Sequence, residues 1–315
     1  MIKLPFPIKL ISSEEKRKLY SEIIKLPLYT RKANIYGCCI KFMTDNKFFA
    51  DIWADNFYTA DENIKSHGRI IAIQNLSEEL HVKYDPLTKT AFAYNIDYYG
   101  WIKSLALAIV GDIFEDAHEI YSVHGAALDV NGQGVALIAS SGTGKTTHSW
   151  GLLRNFGVRL VADDWFFVRL YNKTAFAYGS EKNCYVDANI GRIWPNFSEI
   201  LERVVFDKRG RAVVNVRWVV GIDGVIPITR IRKIFILKRD YSDSSIIKSL
   251  DLDEALSLLI KNDFYNPHNL VKDERKLSLR KEFFYKLLNM TENYIVNTIE
   301  APNIVQEEIW KRVRE

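Results

Sequence analysis

Residues 139–147 read Ala-Ser-Ser-Gly-Thr-Gly-Lys-Thr-Thr, and this stretch decides how the rest of the chain is interpreted. A phosphate-binding loop has glycine, four residues, then Gly-Lys-Ser/Thr; the end of that pattern is intact here, and Ala139 replaces the first glycine. Small residues let backbone N–H groups converge on phosphate oxygens, the lysine contacts the β- and γ-phosphates, and the threonine hydroxyl contacts Mg²⁺. The predicted nucleotide contacts are Ser140, Ser141, Gly142, Thr143, Gly144, Lys145, Thr146 and Thr147.

The segments around this stretch give it the expected context. An apolar run at 135–139 predicts a strand before the loop, and residues 145–155 predict a helix after it. The next apolar run, 158–162, predicts a strand in the middle of a sheet that is covered on both faces. It ends in Asp163 and Asp164, where one carboxylate suits Mg²⁺ and the other suits a general base for an incoming hydroxyl. Together these features predict chemistry on ATP or another nucleoside triphosphate.

A histidine lies just ahead of this region. His124 occurs in Tyr-Ser-Val-His-Gly-Ala-Ala-Leu, before the strands that lead into the loop. A histidine there can orient or tune a catalytic aspartate, or it can be a half-buried side chain with satisfied hydrogen bonds. From its neighbours alone, the second interpretation is favoured.

Composition excludes several classes of protein. The chain has 315 residues, of which 48% are hydrophobic and 26% charged, so a well-packed globular protein is expected. The formal charge of +4 is too small to indicate nucleic-acid binding. No apolar run approaches the roughly 20 residues of a membrane helix, and no cleavable signal pattern is visible. Three cysteines, two of them adjacent, argue against a disulfide framework, so we expect a cytoplasmic protein. The sequence leaves a homo-oligomer open.

The predicted elements favour two domains: a mixed α+β unit over 1–117 and an α/β phosphate-loop domain over 118–315. Helices are predicted over 12–26, 98–117, 145–155, 252–262, 276–290 and 302–313. Strands are predicted over 69–74, 79–84, 89–94, 121–130, 135–139, 158–162, 232–238 and 293–298. Hairpins are predicted over 34–53, 166–178 and 204–216, with turns at 44–47, 171–174 and 207–210.

The ordered combination of these motifs resembles a known family. The run His124-Gly-Ala-Ala-Leu-Asp-Val-Asn-Gly-Gln-Gly-Val-Ala-Leu-Ile, the loop at 141–147 and Arg-Leu-Val-Ala-Asp-Asp at 159–164 resemble the catalytic domain of HPr kinase/phosphorylase and its relatives. The loop itself is also similar to that of ATP-type phosphoenolpyruvate carboxykinase, and the two families share a nucleotide-binding core. The resemblance is strong over 121–170 and fainter over 175–240. It implies a central mixed sheet of this type.

The resemblance implies a role for each matching residue. Lys145 and Thr146 would hold the phosphates and Mg²⁺. Asp163 would contact the metal and Asp164 would act as the base, although the sequence does not decide which aspartate has which role. His124 would assist that base.

Two further roles follow from the fainter part of the resemblance. Glu181 would be a further metal ligand, and its alternative is a solvated loop acid. Arg230 would meet the transferred phosphate, and its alternative is a solvated position in a basic stretch. The stretch by which HPr kinases bind their protein substrate is not recognisable here. In its place stands Asn183–Pro195, which fits a small molecule with carboxylate and amine groups, or an ordinary loop–helix junction.

Four functions remain as hypotheses. The first is an ATP- and Mg²⁺-dependent kinase that phosphorylates a hydroxyl of a small metabolite, with free L-serine or a similar hydroxy amino acid as the best candidate. The second is an HPr-type protein serine kinase/phosphorylase, and the third is a lyase similar to phosphoenolpyruvate carboxykinase. The fourth is a nucleotide-binding regulator without catalysis, with the N-terminal unit as its partner-binding module. The intact Lys145, Thr146, Asp163 and Asp164 set argues against the fourth. The missing HPr-docking pattern argues against the second, and the missing decarboxylation residues argue against the third.

Overall fold

The computed structural model describes residues 6–75 and 77–315, which divide into two compact units. The first unit comprises residues 6–119 and 267–276, and the second comprises 120–266 and 277–315. Each unit has its own large sheet of mixed parallel and antiparallel strands, accompanied by helices. The protein is therefore a mixed α/β protein with two mixed sheets.

The first unit is a seven-stranded sheet with three helices. Its elements are β1 (Ile8–Leu10), α1 (Ser13–Ile23), β2 (Tyr29–Ile35), β3 (Cys38–Thr44), α2 (Lys47–Asn56), β4 (Tyr58–Thr59), β5 (Gly68–Ile73), β6 (His81–Asp85), β7 (Thr90–Tyr94) and α3 (Tyr99–Ala117). The strand order is β1-β6-β7-β5-β3-β2-β4. The strands predicted over 69–94 and the helix predicted over 98–117 are confirmed.

The predicted hairpin over 34–53 is wrong in its second half. The hairpin is formed by β2 and β3, and residues 47–56 form the helix α2 instead. Asn46 caps this helix, because its side chain accepts a hydrogen bond from Phe49 N–H. Phe49 and Trp53 are four residues apart and are both buried, as expected for one face of a helix. The polar residues at 44–47 therefore mark a helix start.

A network of charged side chains lies within the first unit. Asp116 accepts hydrogen bonds from Lys89 Nζ at 2.6 Å and from Arg275 at 2.9 Å, and it lies 2.9 Å from Lys276 Nζ. Asp112 accepts from Lys89 Nζ at 2.7 Å and forms an ion pair with Lys276 at 2.8 Å. Burial raises the pKa of Asp116, but the hydrogen bonds from the three cations outweigh burial and hold this pKa below its ordinary value.

The second unit is built on a nine-stranded sheet. Its elements are β8 (Ile120–Val123), β9 (Gly125–Val130), β10 (Gln133–Ala139), α4 (Lys145–Leu153), β11 (Val158–Ala162), β12 (Phe166–Tyr171), β13 (Thr174–Gly179), β14 (Cys184–Asp187), α5 (Ile190–Ile193), α6 (Ser198–Glu202), β15 (Arg211–Val214), α7 (Arg217–Val220), β16 (Ile228–Lys238), β17 (Ile247–Leu250), α8 (Leu252–Lys261), α9 (Glu274–Leu288), β18 (Glu292–Asn297) and α10 (Pro302–Arg314).

The large sheet has the order β11-β9-β10-β16-β13-β12-β8, and β18 pairs with β16 beyond the end of β13. One face packs against α4 and α10, and the other packs against α8 and α9. The predicted hairpin with its turn at 171–174 and the strand, loop and helix over 133–153 are observed. β11 is apolar, as predicted, but it lies at the edge of the sheet order rather than in its middle. Its burial comes from the helical layers, not from a second long strand neighbour.

Two other predictions are corrected. The strand predicted over 121–130 is two strands, β8 and β9, interrupted at His124. The hairpin predicted over 204–216 has no first strand: residues 204–206 are irregular, and β15 pairs with β14 as a separate two-stranded sheet. Turn residues at 207–210 do not by themselves determine which strand β15 pairs with. Among the described residues, no helix combines the length and apolar character that crossing a bilayer requires.

Candidate active site

Several of the residues that the sequence singled out lie along one edge of the large sheet, the edge that is formed by the ends of the strands and not by an outermost strand. β10, β11, β16 and β18 run parallel and end at this edge, whereas β9 runs antiparallel to β10 and β11 and begins there. The loop at 140–144 follows β10, Asp163 and Asp164 follow β11, and His124 precedes β9. The Gly125 N–H donates to the Asp164 carbonyl at 3.0 Å. Residues that are distant in sequence are therefore neighbours at one sheet edge.

The 140–144 loop has the backbone that its glycines allow. Gly142 and Gly144 have φ values of 82° and 97°, in the left-handed region that favours glycine. Ala139 ends β10 without a positive φ, so the missing first glycine causes no strain. The Thr298 hydroxyl donates to the Thr143 carbonyl at 2.8 Å and ties the loop to the end of β18. Helix α4 then begins, and the N–H groups of a first helical turn are donors suited to an anion.

Lys145 is the centre of a buried polar cluster. Its ammonium donates to Asp164 Oδ1 at 2.6 Å and lies 3.2 Å from His124 Nε2. Lys145 is only 8% exposed, whereas the Asp164 side chain is 31% exposed. The lysine is therefore held in place from within the protein, and the aspartate presents part of its carboxylate to a ligand.

The tautomer of His124 follows from its contacts. Nδ1 lies 2.7 Å from the Tyr265 carbonyl oxygen, which can only accept, so Nδ1 carries the proton. Nε2 then has a lone pair, and it can accept from Lys145. Burial lowers the pKa of His124, and the positive charge of Lys145 lowers it further, which outweighs the opposing effect of Asp164. His124 is therefore a neutral imidazole whose acceptor nitrogen faces the cluster.

The Tyr265 carbonyl is presented by an uncommon backbone conformation. Asp263, Phe264 and Tyr265 have φ values of 50°, 51° and 53°, three consecutive left-handed residues without a glycine. Each such residue costs about 1 kcal/mol or more. Buried packing opposes that cost: Phe264 is 1% exposed, and its ring stacks on Phe284 with 5.0 Å between ring centroids. The strain is stored at the one turn that fixes His124.

Asp163 has a different environment from Asp164. It is 5% exposed, and its Oδ1 accepts a hydrogen bond from the Ser149 hydroxyl at 2.6 Å. Ser149 lies on α4, one turn after Thr146, and its hydroxyl is also 3.1 Å from the Thr146 carbonyl. Asp163 therefore lies against the first turn of α4, while Asp164 lines the open cleft.

A cleft of about 260 Å³ opens over the loop. The predicted residues that line it are His124, Ser140, Ser141, Gly142, Gly144, Lys145, Thr146, Thr147 and Asp164. Thr143 does not line it: its hydroxyl donates to the Ser140 carbonyl, and its own carbonyl accepts from Thr298. The other lining residues come from β14, α5 and β15 and from the end of β16, and they are Asp187, Asn189, Ile190, Ile193, Arg211 and Arg239.

These other lining residues carry both signs of charge. Arg211 Nε lies 3.5 Å from Asp187 Oδ2, and Asp187 Oδ1 accepts from the backbone and side-chain nitrogens of Asn189 at 2.9 and 2.8 Å. Arg239 is exposed, directly follows β16 and makes no hydrogen bond or ion pair with any residue that the structure describes. The cleft thus offers a set of acidic and basic groups and one cation that is not committed to a partner.

Four predicted residues do not line the cleft: Thr143 and Asp163, described above, and Arg230 and Glu181. Arg230 is exposed near the start of β16, where its strand partner is Phe176 of β13. Leu237 pairs with Ala139 at the loop, and it lies roughly 23 Å along the strand from Arg230 at about 3.3 Å per residue. Glu181 lies in the turn between β13 and β14, outside the residues that line the cleft.

The residues present fit a Mg²⁺ ion that is shared with phosphates. Among the described residues, no group of three or more His, Cys, Asp or Glu side chains is placed to hold a metal. Mg²⁺ does not require such a group, because it takes one or two carboxylates and completes its octahedron with phosphate oxygens and water. The Thr146 hydroxyl in the cleft, with the carboxylates that follow β11, is a donor set of that kind.

Sequence reasoning missed Arg239, Ser149 and the Tyr265 carbonyl as site groups. A signal for Arg239 was present, because it directly follows a strand that was predicted. Using that signal requires knowing that β16 is the parallel neighbour of β10. No sequence signal marks the left-handed turn at 263–265, which contains no glycine.

Comparisons with known proteins give a likeness to solved structures but no match in sequence. No protein-family model matches the sequence, and no curated protein matches it. The structure is similar to that of the HPr(Ser) kinase/phosphatase from Coxiella burnetii, with 11% sequence identity and a TM-score of 0.36. The match covers 61% of this chain and 95% of that one. The protein named in that match is from the family that the motifs over 121–170 resemble.

Proposed function

We propose that the protein is an ATP- and Mg²⁺-dependent phosphotransferase that moves the γ-phosphoryl group to a hydroxyl of a small molecule. The observation that carries the proposal is the position of Lys145. Its buried ammonium lies between Asp164 and His124, at the first residue of the helix that follows a glycine-rich loop. This arrangement joins a site for phosphates, a cation to neutralise them and a carboxylate to take up a proton.

The residues divide the chemistry between them. The acceptor's hydroxyl oxygen forms a bond to the γ-phosphorus while the bond from that phosphorus to the β–γ bridging oxygen breaks, which leaves ADP. The hydroxyl proton passes to the Asp164 carboxylate. Lys145 turns from Asp164 to the phosphate oxygens when ATP binds, which frees Asp164 Oδ1 for that proton. His124 accepts a hydrogen bond at Nε2 and keeps the lysine and the aspartate positioned.

Thr146 and Asp163 are the residues that we assign to Mg²⁺. When bound, Mg²⁺ supplies positive charge that offsets the charge of the phosphates. Asp163 is suited to this role because it lies against the helical turn that contains Thr146. Asp163 does not line the cleft, and its contact with α4 is the reason to keep it in the proposed site. Glu181 and Arg230 are left out, because they neither line the cleft nor belong to the loop, α4 or the segment that follows β11.

Asp187 and Arg211 support an acceptor that carries both charges. Asp187 suits an ammonium group and Arg211 suits a carboxylate, and Asn189 adds a polar side chain beside them. Free L-serine and similar hydroxy amino acids carry these two groups and the reactive hydroxyl. We therefore propose a hydroxy amino acid as the acceptor.

An acceptor screen tests this function. The full chain is incubated with ATP, Mg²⁺ and a panel of hydroxy amino acids, sugars and polyols, and ADP release is followed. We expect release that depends on a hydroxy amino acid in the wild type and in the control Lys173→Ala, which changes an exposed turn lysine outside the cleft. Lys145→Ala should show none above background.

Two results would overturn the proposal. Full activity of Lys145→Ala would remove the assignment of the loop and its lysine. ADP release that is independent of every acceptor would indicate hydrolysis of ATP in place of transfer to a hydroxyl.

A further inference from the structure

Among the described residues, Arg239 is the cation of the cleft that makes no hydrogen bond or ion pair. Lys145 is paired with Asp164, and Arg211 is paired with Asp187. Arg239 is exposed and, among the described residues, makes no hydrogen bond or ion pair. Its guanidinium is therefore available to a ligand without breaking an existing interaction.

The adjacent residue, Lys238, is not available to a ligand in the same way as Arg239. Lys238 donates to Asp240 at 2.9 Å and to Asp243 at 2.8 Å, so its charge is already compensated. Of these two adjacent cations, Arg239 is thus the one that makes no ion pair with the described residues.

The strand order fixes the sequence in which the groups of the site follow one another along the cleft. From one flank to the other, the sheet edge carries Asp164 after β11, His124 before β9, the loop after β10 and Arg239 after β16. Three strand spacings of about 4.8 Å separate the Asp164 flank from the Arg239 flank, or about 14 Å. Asp164 and Arg239 therefore lie on opposite sides of the loop.

Given the function proposed above, the order from Asp164 to Arg239 indicates which way the phosphoryl donor lies across the loop. In phosphoryl transfer the attacking oxygen, the phosphorus and the leaving oxygen are roughly in line. If Asp164 takes the acceptor's proton, the acceptor lies on its flank, and the rest of the nucleotide extends past the loop towards β16. The loop and Lys145 contact the β- and γ-phosphates, so the next anionic group on the Arg239 flank is the α-phosphate.

The geometry points to Arg239 as the residue that binds the α-phosphate of the donor. Arginine presents a planar fork of N–H donors that matches two phosphate oxygens. Through this contact the site selects a nucleotide over pyrophosphate, which has no α-phosphate beyond the two that the loop holds. Arg239 is a binding residue and takes no part in the bond-making step.

Equilibrium binding to Arg239→Ala tests this assignment. Dissociation constants of ADP and pyrophosphate are measured by titration calorimetry with Mg²⁺, for the wild type, Arg239→Ala and Arg230→Ala. Arg230 is the matched control because it is an exposed arginine on the same strand, at the end away from the loop. We expect Arg239→Ala to weaken ADP by about tenfold or more, the size expected of a lost charged hydrogen bond, and to leave pyrophosphate unchanged. Arg230→Ala should match the wild type for both.

The outcomes separate this inference from the proposed function. Unchanged ADP affinity in Arg239→Ala, or an equal loss for ADP and pyrophosphate, would overturn the α-phosphate assignment. A fall in kcat with unchanged ADP affinity would place Arg239 at the transferred group or the acceptor and would also overturn it. If the wild type binds neither ligand, or if Lys145→Ala binds both normally, the proposed function itself fails.

Discussion

Asp164→Asn should slow phosphoryl transfer and strengthen the binding of ATP. The amide keeps the size of the side chain but cannot take up the acceptor's proton, so turnover should fall by about 10²–10⁴-fold. In the resting protein Asp164 Oδ1 lies 2.6 Å from Lys145 Nζ. The carboxylate therefore competes with the phosphates for the same ammonium, and the substitution removes that competition.

The exposure of the two side chains sets the size of the gain in affinity. Lys145 is 8% exposed and Asp164 is 31% exposed in the ion pair. A hydrogen bond to a charged group contributes about 1.5–3 kcal/mol, whereas a solvent-exposed ion pair contributes about 0–1 kcal/mol. This half-open pair lies between the two cases, at about 1 kcal/mol. The dissociation constant for ATP should therefore fall by about fivefold.

Two assays on the same preparations measure both effects. Calorimetry with a non-hydrolysable ATP analogue and Mg²⁺ gives affinity, and single-turnover ADP formation gives the rate of transfer. Lys173→Ala is the control in both assays, because it changes an exposed turn residue outside the cleft. Wild-type turnover in Asp164→Asn would refute the base assignment. Affinity weakened by tenfold or more would show that Asp164 holds the metal.

The remaining predictions concern a metal contact, a tautomer and a pH dependence. Asp163→Asn should raise the Mg²⁺ concentration needed for half-maximal activity by about tenfold, and turnover at saturating Mg²⁺ should recover to within about tenfold of the wild type; an unchanged Mg²⁺ titration would contradict its assignment. ¹⁵N spectra of the His124 imidazole at pH 7 should show a protonated Nδ1 and an unprotonated Nε2, and an imidazolium or the reverse tautomer would contradict the Tyr265 contact. The lowered pKa of Asp116 in the folded protein means that its contribution to stability is present above its unfolded pKa of about 4 and is lost as the pH falls below that. Urea unfolding between pH 7 and pH 2 should therefore show a smaller pH dependence for Asp116→Asn, with about 1 kcal/mol less stability at pH 7; an identical pH dependence would contradict the network.

Local sequence patterns predicted the elements around the site because residues within each element mark where it begins and ends. Gly142 and Gly144 adopt the positive φ values that the loop requires. The helix that follows begins at Lys145, and its start could be predicted from the local sequence alone. The turn at 171–174 likewise sets its own hairpin, β12 and β13. At 44–47, by contrast, the same polar residues suit a turn or a helix cap. The buried spacing of Phe49 and Trp53 decides for the helix.

Pairing between distant strands could not be predicted in the same way. An apolar run such as β11 indicates burial, but helices on the faces bury an edge strand as well as a central one. The two arginines of β16 show the consequence for the site. Arg230 was selected by resemblance and Arg239 was overlooked, because only the parallel register of β10 with β16 shows which end of the strand meets the loop.

A crystal structure with Mg²⁺ and a non-hydrolysable ATP analogue tests the central claim most directly. We predict that the β-phosphate lies over the backbone N–H groups of residues 142–146, and that Lys145 Nζ has left Asp164 for a phosphate oxygen. The γ-phosphate should face Asp164, and the α-phosphate should face the end of β16. An analogue bound elsewhere on the protein, with the Lys145–Asp164 pair intact and the cleft over the loop empty, would contradict the account.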